Sequence, residues 1–150
     1  MAVDASEAAL ELARQAAEKS GSSDRFNTVR SDAFEAMENL ANEGKKFGLV
    51  VCDPPAFAPN RKALSQGLRA YERVAKLGAA LVEPGGILAL CSCSHAADVS
   101  KFLASSTRGI GRAGRKAQLI HTGFASPDHP QSPVLGELGY LKALFFRMLS

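Results

Sequence analysis

The 150-residue chain has no tryptophan, two tyrosines and only three cysteines. Three is an odd number and far too few for a disulfide-stapled scaffold, and Met1-Ala2-Val3-Asp4 is not a charged-then-apolar leader, so free thiols in a reducing cytoplasm are expected. Long apolar runs are also lacking. Leu49-Val50-Val51-Cys52 falls well short of the ~20 residues of a membrane helix, which excludes a spanning protein. No repeat period and no low-complexity tract interrupts the chain. Charge is nearly balanced: 18 Lys+Arg against 15 Asp+Glu leave +3, so attraction to nucleic acid must come from local patches. What the chain does have is 46% apolar content, enough for a core and too much for a disordered tail, and a length that suits one domain over 1–150.

Helical and extended patterns alternate. Ser6 to Ser20 reads as a helix stopped by Gly21, and Phe26 to Arg30 as a short strand. Ala33 to Asn42 reads as a second helix ended by Gly44. Phe47 to Cys52 is a continuous apolar strand, of the kind buried on both faces, that runs into Asp53-Pro54-Pro55. Asn60 to Gly67 then reads as a loop, Leu68 to Val82 as a helix, and Glu83 to Gly86 as a turn before the strand Ile87 to Cys91. A helix over about Ala96 to Ser105, a glycine-broken basic connection, and strands over Ala117 to Thr122 and Tyr140 to Met148 complete the pattern, with a Pro- and Gly-rich loop over Ser126 to Gly139. This is an α/β domain with a mostly parallel sheet, and such sheets bind ligands at the carboxyl ends of their strands. Asp4, Asp32, Asp53 and Cys91-Ser92-Cys93-Ser94 all follow strand ends, so they are expected to converge on one edge.

A nucleotide-binding sheet normally opens with a strand and a Gly-rich loop about 20 residues before its ribose-binding acid. Only three residues precede Asp4, so that strand and loop are expected to be missing. A sheet without its central strand would expose unpaired edges, from which a homodimer or strand-swapped dimer is expected.

Each acid carries two readings. Asp4 can accept from two ribose hydroxyls or simply cap the helix behind it, and Asp32 can accept from an adenine amine or cap in the same way. Asp53-Pro54-Pro55-Ala56-Phe57 is more specific: two prolines lock the backbone, Asp53 offers an acceptor to a base amine, and Phe57 can wall a planar slot. A plain Pro-Pro turn is the alternative. Cys93, close before the helix expected near Ala96, suits a nucleophile activated at a helix start, whereas Cys91 suits the core. A metal reading of Cys91-Ser92-Cys93-Ser94-His95 fails for want of a four-ligand set, since Cys52, His121 and His129 complete no recognisable pattern. Arg61, Lys62, Arg69, Arg73 and Lys76 form a basic group beside the Pro-Pro turn that suits phosphates or a solvated helix face. Arg108, Arg112, Arg115 and Lys116 read as ordinary surface.

With the acid-Pro-Pro-aromatic loop and Ser92-Cys93-Ser94 in this order, the chain resembles the class I S-adenosylmethionine-dependent methyltransferases, specifically the bacterial large-subunit ribosomal RNA cytosine-5 methyltransferases. The resemblance implies a Rossmann-like, mostly parallel sheet with an antiparallel carboxyl-terminal strand. It implies cofactor contacts from Asp4, Ala5 and Ser6, from Asp32, Ala33 and Phe34, and from Asp53 and Pro54. Pro55, Phe57, Arg61, Lys62 and Ser92 would meet the RNA, and Cys93 with Asp53 would carry catalysis. Ribosomal RNA is the implied partner and S-adenosylhomocysteine the product. Asp128-His129-Pro130 and Gly139-Tyr140-Leu141-Lys142 resemble the family's carboxyl end, while its RNA-binding PUA domain, connecting domain and Gly-rich loop have no counterpart here. Two other functions fit the residues: methylation of an exocyclic amine, which needs no cysteine, and RNA binding without catalysis.

Overall fold

A computed structural model of the chain describes residues 1–129 and 140–150. They form two compact units, 1–44 and 45–150, where the sequence reads as one folding unit. In the first, β1 (Ala2–Asp4) leads to α1 (Glu7–Lys19), and a short 3-10 turn precedes β2 (Thr28–Arg30) and α2 (Ala33–Asn42). The two strands pair in parallel with Asp4 opposite Arg30. Ser6 caps α1 by accepting from the Ala9 amide, and Gly21 and Gly44, at φ 65° and 71°, turn the chain out of the helices where a side chain would be strained. Arg14 ties α1 to β2: its guanidinium donates to Thr28 Oγ1 at 2.8 Å and pairs with Glu7 and Glu11. Leu10, Ala17 and Ala36 are the buried apolar residues of this unit.

The second unit runs β3 (Phe47–Cys52), α3 (Leu64–Leu81), β4 (Val82–Ser92), α4 (Val99–Arg112), β5 (Ala117–Phe124) and β6 (Lys142–Met148). Its sheet has the order β3-β4-β6-β5, with β3 parallel to β4 and β6 antiparallel to both neighbours. The mostly parallel pattern with an antiparallel carboxyl-terminal strand is thus present. Two-residue alternation sorts the sheet into unequal faces. Leu88, Leu90, Leu144, Phe146 and Met148 are buried, and so are Ser92 and Lys142 in the same phase. The out-of-phase Ile87, Cys91, Ala143 and Phe145 are only half-buried.

Helices cover the buried face. At Gly78 of α3 an added Cβ would stand 2.9 Å from Leu88 Cδ1 and 3.1 Å from Cys52 Sγ, so the helix rests directly on β3 and β4. The expectation that β3 is buried on both faces is therefore corrected. Val50 and Cys52 point under α3, whereas Leu49 and Val51 remain 58% and 60% exposed on the uncovered face.

Several boundaries also differ from the pattern. Helix α3 starts at Leu64 instead of Leu68, and residues 83–86 are absorbed into β4, with Gly85 at φ 82°. Helix α4 runs from Val99 to Arg112, straight through Gly109 and Gly111, which the pattern assigns to a connection beyond a helix over about Ala96 to Ser105. The reason for Gly109 is packing: an added Cβ there would lie 2.3 Å from the Glu72 carbonyl oxygen, so its absence lets α4 approach α3. Gly114, at φ 69°, is the actual stop. The loop expected over Ser126 to Gly139 lies largely outside the described residues.

All three cysteines are unbridged. Burial, with a smaller contribution from Cys91, pushes the Cys52 thiol up to about 12 from 9.0. Because the folded value is raised, the stabilisation is complete below about pH 9 and is lost as pH rises toward 12. Urea unfolding of wild type and Cys52→Ala at pH 8 and pH 10.5 should show the wild-type advantage shrinking by about 2 kcal/mol, at about 1.4 kcal/mol per unit. A pH-independent gap would show that Cys52 ionises as readily folded as unfolded.

Candidate active site

In the first unit, the carboxyl ends of β1 and β2 carry Asp4 and, two residues beyond β2, Asp32. Both are exposed. Asp4 Oδ1 accepts from the Ser6 amide at 2.7 Å, which fixes the carboxylate at the strand end. Asp32 Oδ1 accepts from the amides of Phe34 and Glu35 at 2.9 and 3.1 Å and caps α2. The local roles that compete with ligand binding are therefore real for both acids. Each nonetheless uses Oδ1 for its turn and presents its carboxylate to solvent at the end of a parallel pair.

In the second unit, the chain leaves β3 through exposed Asp53, half-buried Pro54 and exposed Pro55, then turns inward at Phe57 and Ala58. Ala58 is fully buried. Gly67 makes this possible, since a Cβ on it would meet the Phe57 carbonyl oxygen at 2.6 Å and the Ala58 methyl at 2.7 Å. The Ser92-Cys93-Ser94 loop arrives beside it from β4. A buried tyrosine fastens the two loops together. Ser92 donates to the Tyr71 hydroxyl at 2.9 Å, and that hydroxyl lies 2.6 Å from Ser94 Oγ. Ser94 Oγ in turn accepts from the Ala58 amide at 2.9 Å, and the Ala96 amide donates to the Ala58 carbonyl. Tyr71 is 1% exposed and stands edge-on to Phe57 and Phe102, at 5.0 and 4.9 Å between ring centroids.

Lys142 lies on the other side of the cysteine loop. Its buried ammonium donates to the Ser94 and Tyr140 carbonyls at 2.8 and 2.9 Å. Burial lowers its pKa, opposed in part by the Cys93 and Asp98 charges nearby. Cys91 sits in a different field, where burial and then the Asp53 carboxylate push its thiol up. The two half-buried cysteines thus have different charged neighbours, Asp53 near Cys91 and Lys142 near Cys93.

No family model matches the chain. It is 37% identical over 147 residues to ribosomal RNA large subunit methyltransferase I of Aeromonas salmonicida, covering 97% of this chain and 37% of that protein. Against a provisionally assigned ribosomal RNA large subunit methyltransferase of Methanocaldococcus jannaschii it is 37% identical over 144 residues, or 95% of this chain and 36% of the relative. The chain therefore spans little more than a third of the curated relatives it matches. Among solved structures, SMU.776 crystallised with SAH superposes with a TM-score of 0.75 at 18% identity, over 97% of this chain and 38% of that one. An O-methyltransferase from Bacillus cereus, also in complex with SAH, gives 0.56 at 15% identity over 97% of this chain and 60% of its own. The chain has the Rossmann-like methyltransferase fold.

Within this methyltransferase fold, the residues singled out by sequence fall into three groups. Asp4, Ala5 and Ser6 and Asp32, Ala33 and Phe34 gather at one edge of the first unit. Asp53 to Phe57 and Cys93 gather at one edge of the second, where Asp53 lies one residue beyond the Cys52–Leu90 pair and so opposite Cys91. Arg61 and Lys62 are exposed on the turn before α3. Phe57 is half-buried, with its ring edge-on to Tyr71. Three expectations are corrected. Ser92 is 1% exposed and bonded to Tyr71, so its side chain holds the loop and is closed to RNA. Cys91 lies half-buried on the open sheet face, because alternation sets it opposite in phase to buried Leu90 and Ser92. Helix α4 begins at Val99 with Asp98 as its cap, six residues after Cys93, so no helix start activates that thiol.

The supporting roles of Tyr71, Ser94 and Lys142 are not evident from the sequence pattern. Lys142 carried a signal: it begins an alternating run, Lys142-Ala143-Leu144-Phe145-Phe146, in the phase that must be buried. Among the described residues no group of three His, Cys, Asp or Glu could hold a metal, and no helix is long and apolar enough to cross a membrane.

Tyr71→Phe keeps the ring and removes the hydroxyl that joins Ser92 to Ser94. It should cost about 1–3 kcal/mol in urea unfolding, the usual range for stranded buried partners. Iodoacetamide should also label Cys93 faster, as peptide mapping would show. Unchanged stability with unchanged labelling would mean the loops are held by other contacts.

Proposed function

We propose that the chain is the catalytic part of an S-adenosylmethionine-dependent methyltransferase that modifies C5 of a cytosine in large-subunit ribosomal RNA, with Cys93 as nucleophile. The observation that carries this reading is the fastening of the Asp53–Phe57 loop to the Ser92–Ser94 loop through Tyr71 and Ser94, in a chain similar almost end to end to ribosomal RNA methyltransferases. A base-holding acid and a thiol are thereby supplied by two loops with one support.

Asp4 and Asp32 suit the cofactor, since each is an exposed carboxylate fixed through one oxygen at a strand end. Ala5, Ser6, Ala33 and Phe34 line the same two turns, and Pro54 follows Asp53 at the third. When bound, S-adenosylmethionine supplies an electrophilic methyl. C5 of cytosine is a weak nucleophile, and Cys93 corrects this by adding its thiolate to C6, which gives C5 enamine character. Asp53 stabilises the shifted charge by hydrogen bonding at N3 and the exocyclic amine. After the methyl reaches C5, a base takes the C5 proton, the electron pair restores the double bond, and the Cys93 thiolate leaves C6. Lys142 helps to hold the cysteine loop in place, since its ammonium donates to the Ser94 carbonyl next to Cys93. Pro55, Arg61 and Lys62 lie where RNA would approach, with the two cations suited to phosphates.

Cys93→Ala in the full-length protein should abolish methyl transfer to large-subunit ribosomal RNA while leaving S-adenosylmethionine binding intact. Asp4→Ala should weaken that binding by about ten-fold or more in calorimetry, the loss expected for hydrogen bonds to a charged group. Methyl transfer that survives in Cys93→Ala would favour an exocyclic amine as acceptor. RNA binding by a protein that never binds the cofactor would favour a non-catalytic role.

The uncovered face and free edge of β3 support the homodimer in the same reading, with Leu49 and Val51 against a second copy. Sedimentation of this chain should show a concentration-dependent dimer that Val51→Lys dissociates. A monomer at all concentrations would remove it.

A further inference from the structure

Between α3 and α4 lies a cleft of about 460 Å³, of whose lining the chemistry above uses only Arg61. Its walls carry Arg61 and Arg69 from the α3 side and Lys101 and Arg108 from α4. The floor includes Glu72, whose buried carboxylate is already engaged by Arg108, with Nε to Oε2 at 3.1 Å, and by Arg112. Lys101 is paired with Asp98. Five cations thus meet two carboxylates, and the excess is concentrated on two exposed arginines. Arg69 donates to Ser65 Oγ at 3.3 Å, and neither it nor Arg61 forms an ion pair among the described residues. Half-buried Leu64 and Leu68 supply an apolar strip between the charges.

This combination does not suit a neutral or cationic ligand. An acidic floor residue that is already doubly paired cannot compete for the rim arginines, which therefore remain available to an external anion. Alternating cationic and apolar surface matches a chain that alternates phosphate with sugar and base. One lining residue, Arg61, lies close in sequence to the proposed base-binding loop. Arg61 follows Phe57 by four residues, which even fully extended is about 14 Å of chain, a reach of two or three nucleotides.

We propose that the α3–α4 cleft is a backbone subsite for the RNA substrate, in which Arg61 and Arg69 hold phosphates flanking the target base. The proposal rests on the reading of RNA as substrate and adds the path by which the strand leaves the site. Arg108 and Arg112, committed to Glu72, and Lys101, committed to Asp98, take no phosphate in it.

The test is fluorescence anisotropy of the full-length protein with a labelled single-stranded 12-mer RNA across a salt series. Arg61→Gln/Arg69→Gln should lower the slope of log K against log salt by about 1.4, since each phosphate contact on a single strand contributes about 0.7. Both residues are exposed, so the fold should survive. Lys116→Gln/Arg147→Gln, an equal charge loss at exposed positions outside the cleft, should leave the slope unchanged. An unaltered slope in the cleft variant, or an equal fall in the control, overturns the subsite while RNA binding itself stands. A wild-type protein that binds S-adenosylmethionine but no RNA at any salt overturns the RNA reading and the subsite with it.

Discussion

A buried hydroxyl must find partners, and in the second unit the Tyr71 hydroxyl finds both of them in the cysteine loop, which in turn holds the loop of Asp53. Ser92 and Ser94 bond it directly, and Ser94 passes the connection to the Ala58 amide. Because each group is out of water, losing any one strands the others, and this makes the arrangement all-or-none. The loop bearing Asp53 and the loop bearing Cys93 therefore share one support, supplied by α3. Gly67 and Gly109 serve the same end, the first by admitting the Phe57–Ala58 backbone to α3 and the second by admitting α4.

The sheet imposes a second constraint. With α3 and α4 on one face, its two-residue alternation decides which side chains are dry. Lys142 falls in the buried phase with Leu144, Phe146 and Met148, and a charge there persists only because two carbonyls receive it. One of those carbonyls belongs to Ser94, so the cation is set beside the cysteine loop by the same register that buries it. Alternation also separates the two thiols: Cys91 faces the open side and the Asp53 charge, and Cys93, past the end of β4, comes near Lys142.

Much of this was legible in the residues. The bounds of α2 and β3 match the apolar pattern residue for residue, because caps and stops at Asp32, Gly44 and Asp53 are local signals. The acids and the Cys93 loop lie at strand ends, as continuous apolar runs ending in polar residues imply. What was not legible depended on contacts distant in sequence. Gly109 reads locally as a breaker, yet it is a packing residue because Glu72 lies against it. Ser92 reads as part of a ligand loop, yet it is buried because Tyr71 needs it. The exposure of Leu49 and Val51 likewise follows from which face the helices cover, which an apolar run does not encode.

The central claim is carbon methylation through a Cys93 adduct, and carbon methylation must expel the hydrogen on C5. The most direct measurement supplies the full-length protein and S-adenosylmethionine with large-subunit RNA tritiated at C5 of cytosine, and counts tritium released to water against methyl groups transferred. The account predicts one tritium released for each methyl. Methyl transfer with the tritium retained would contradict it.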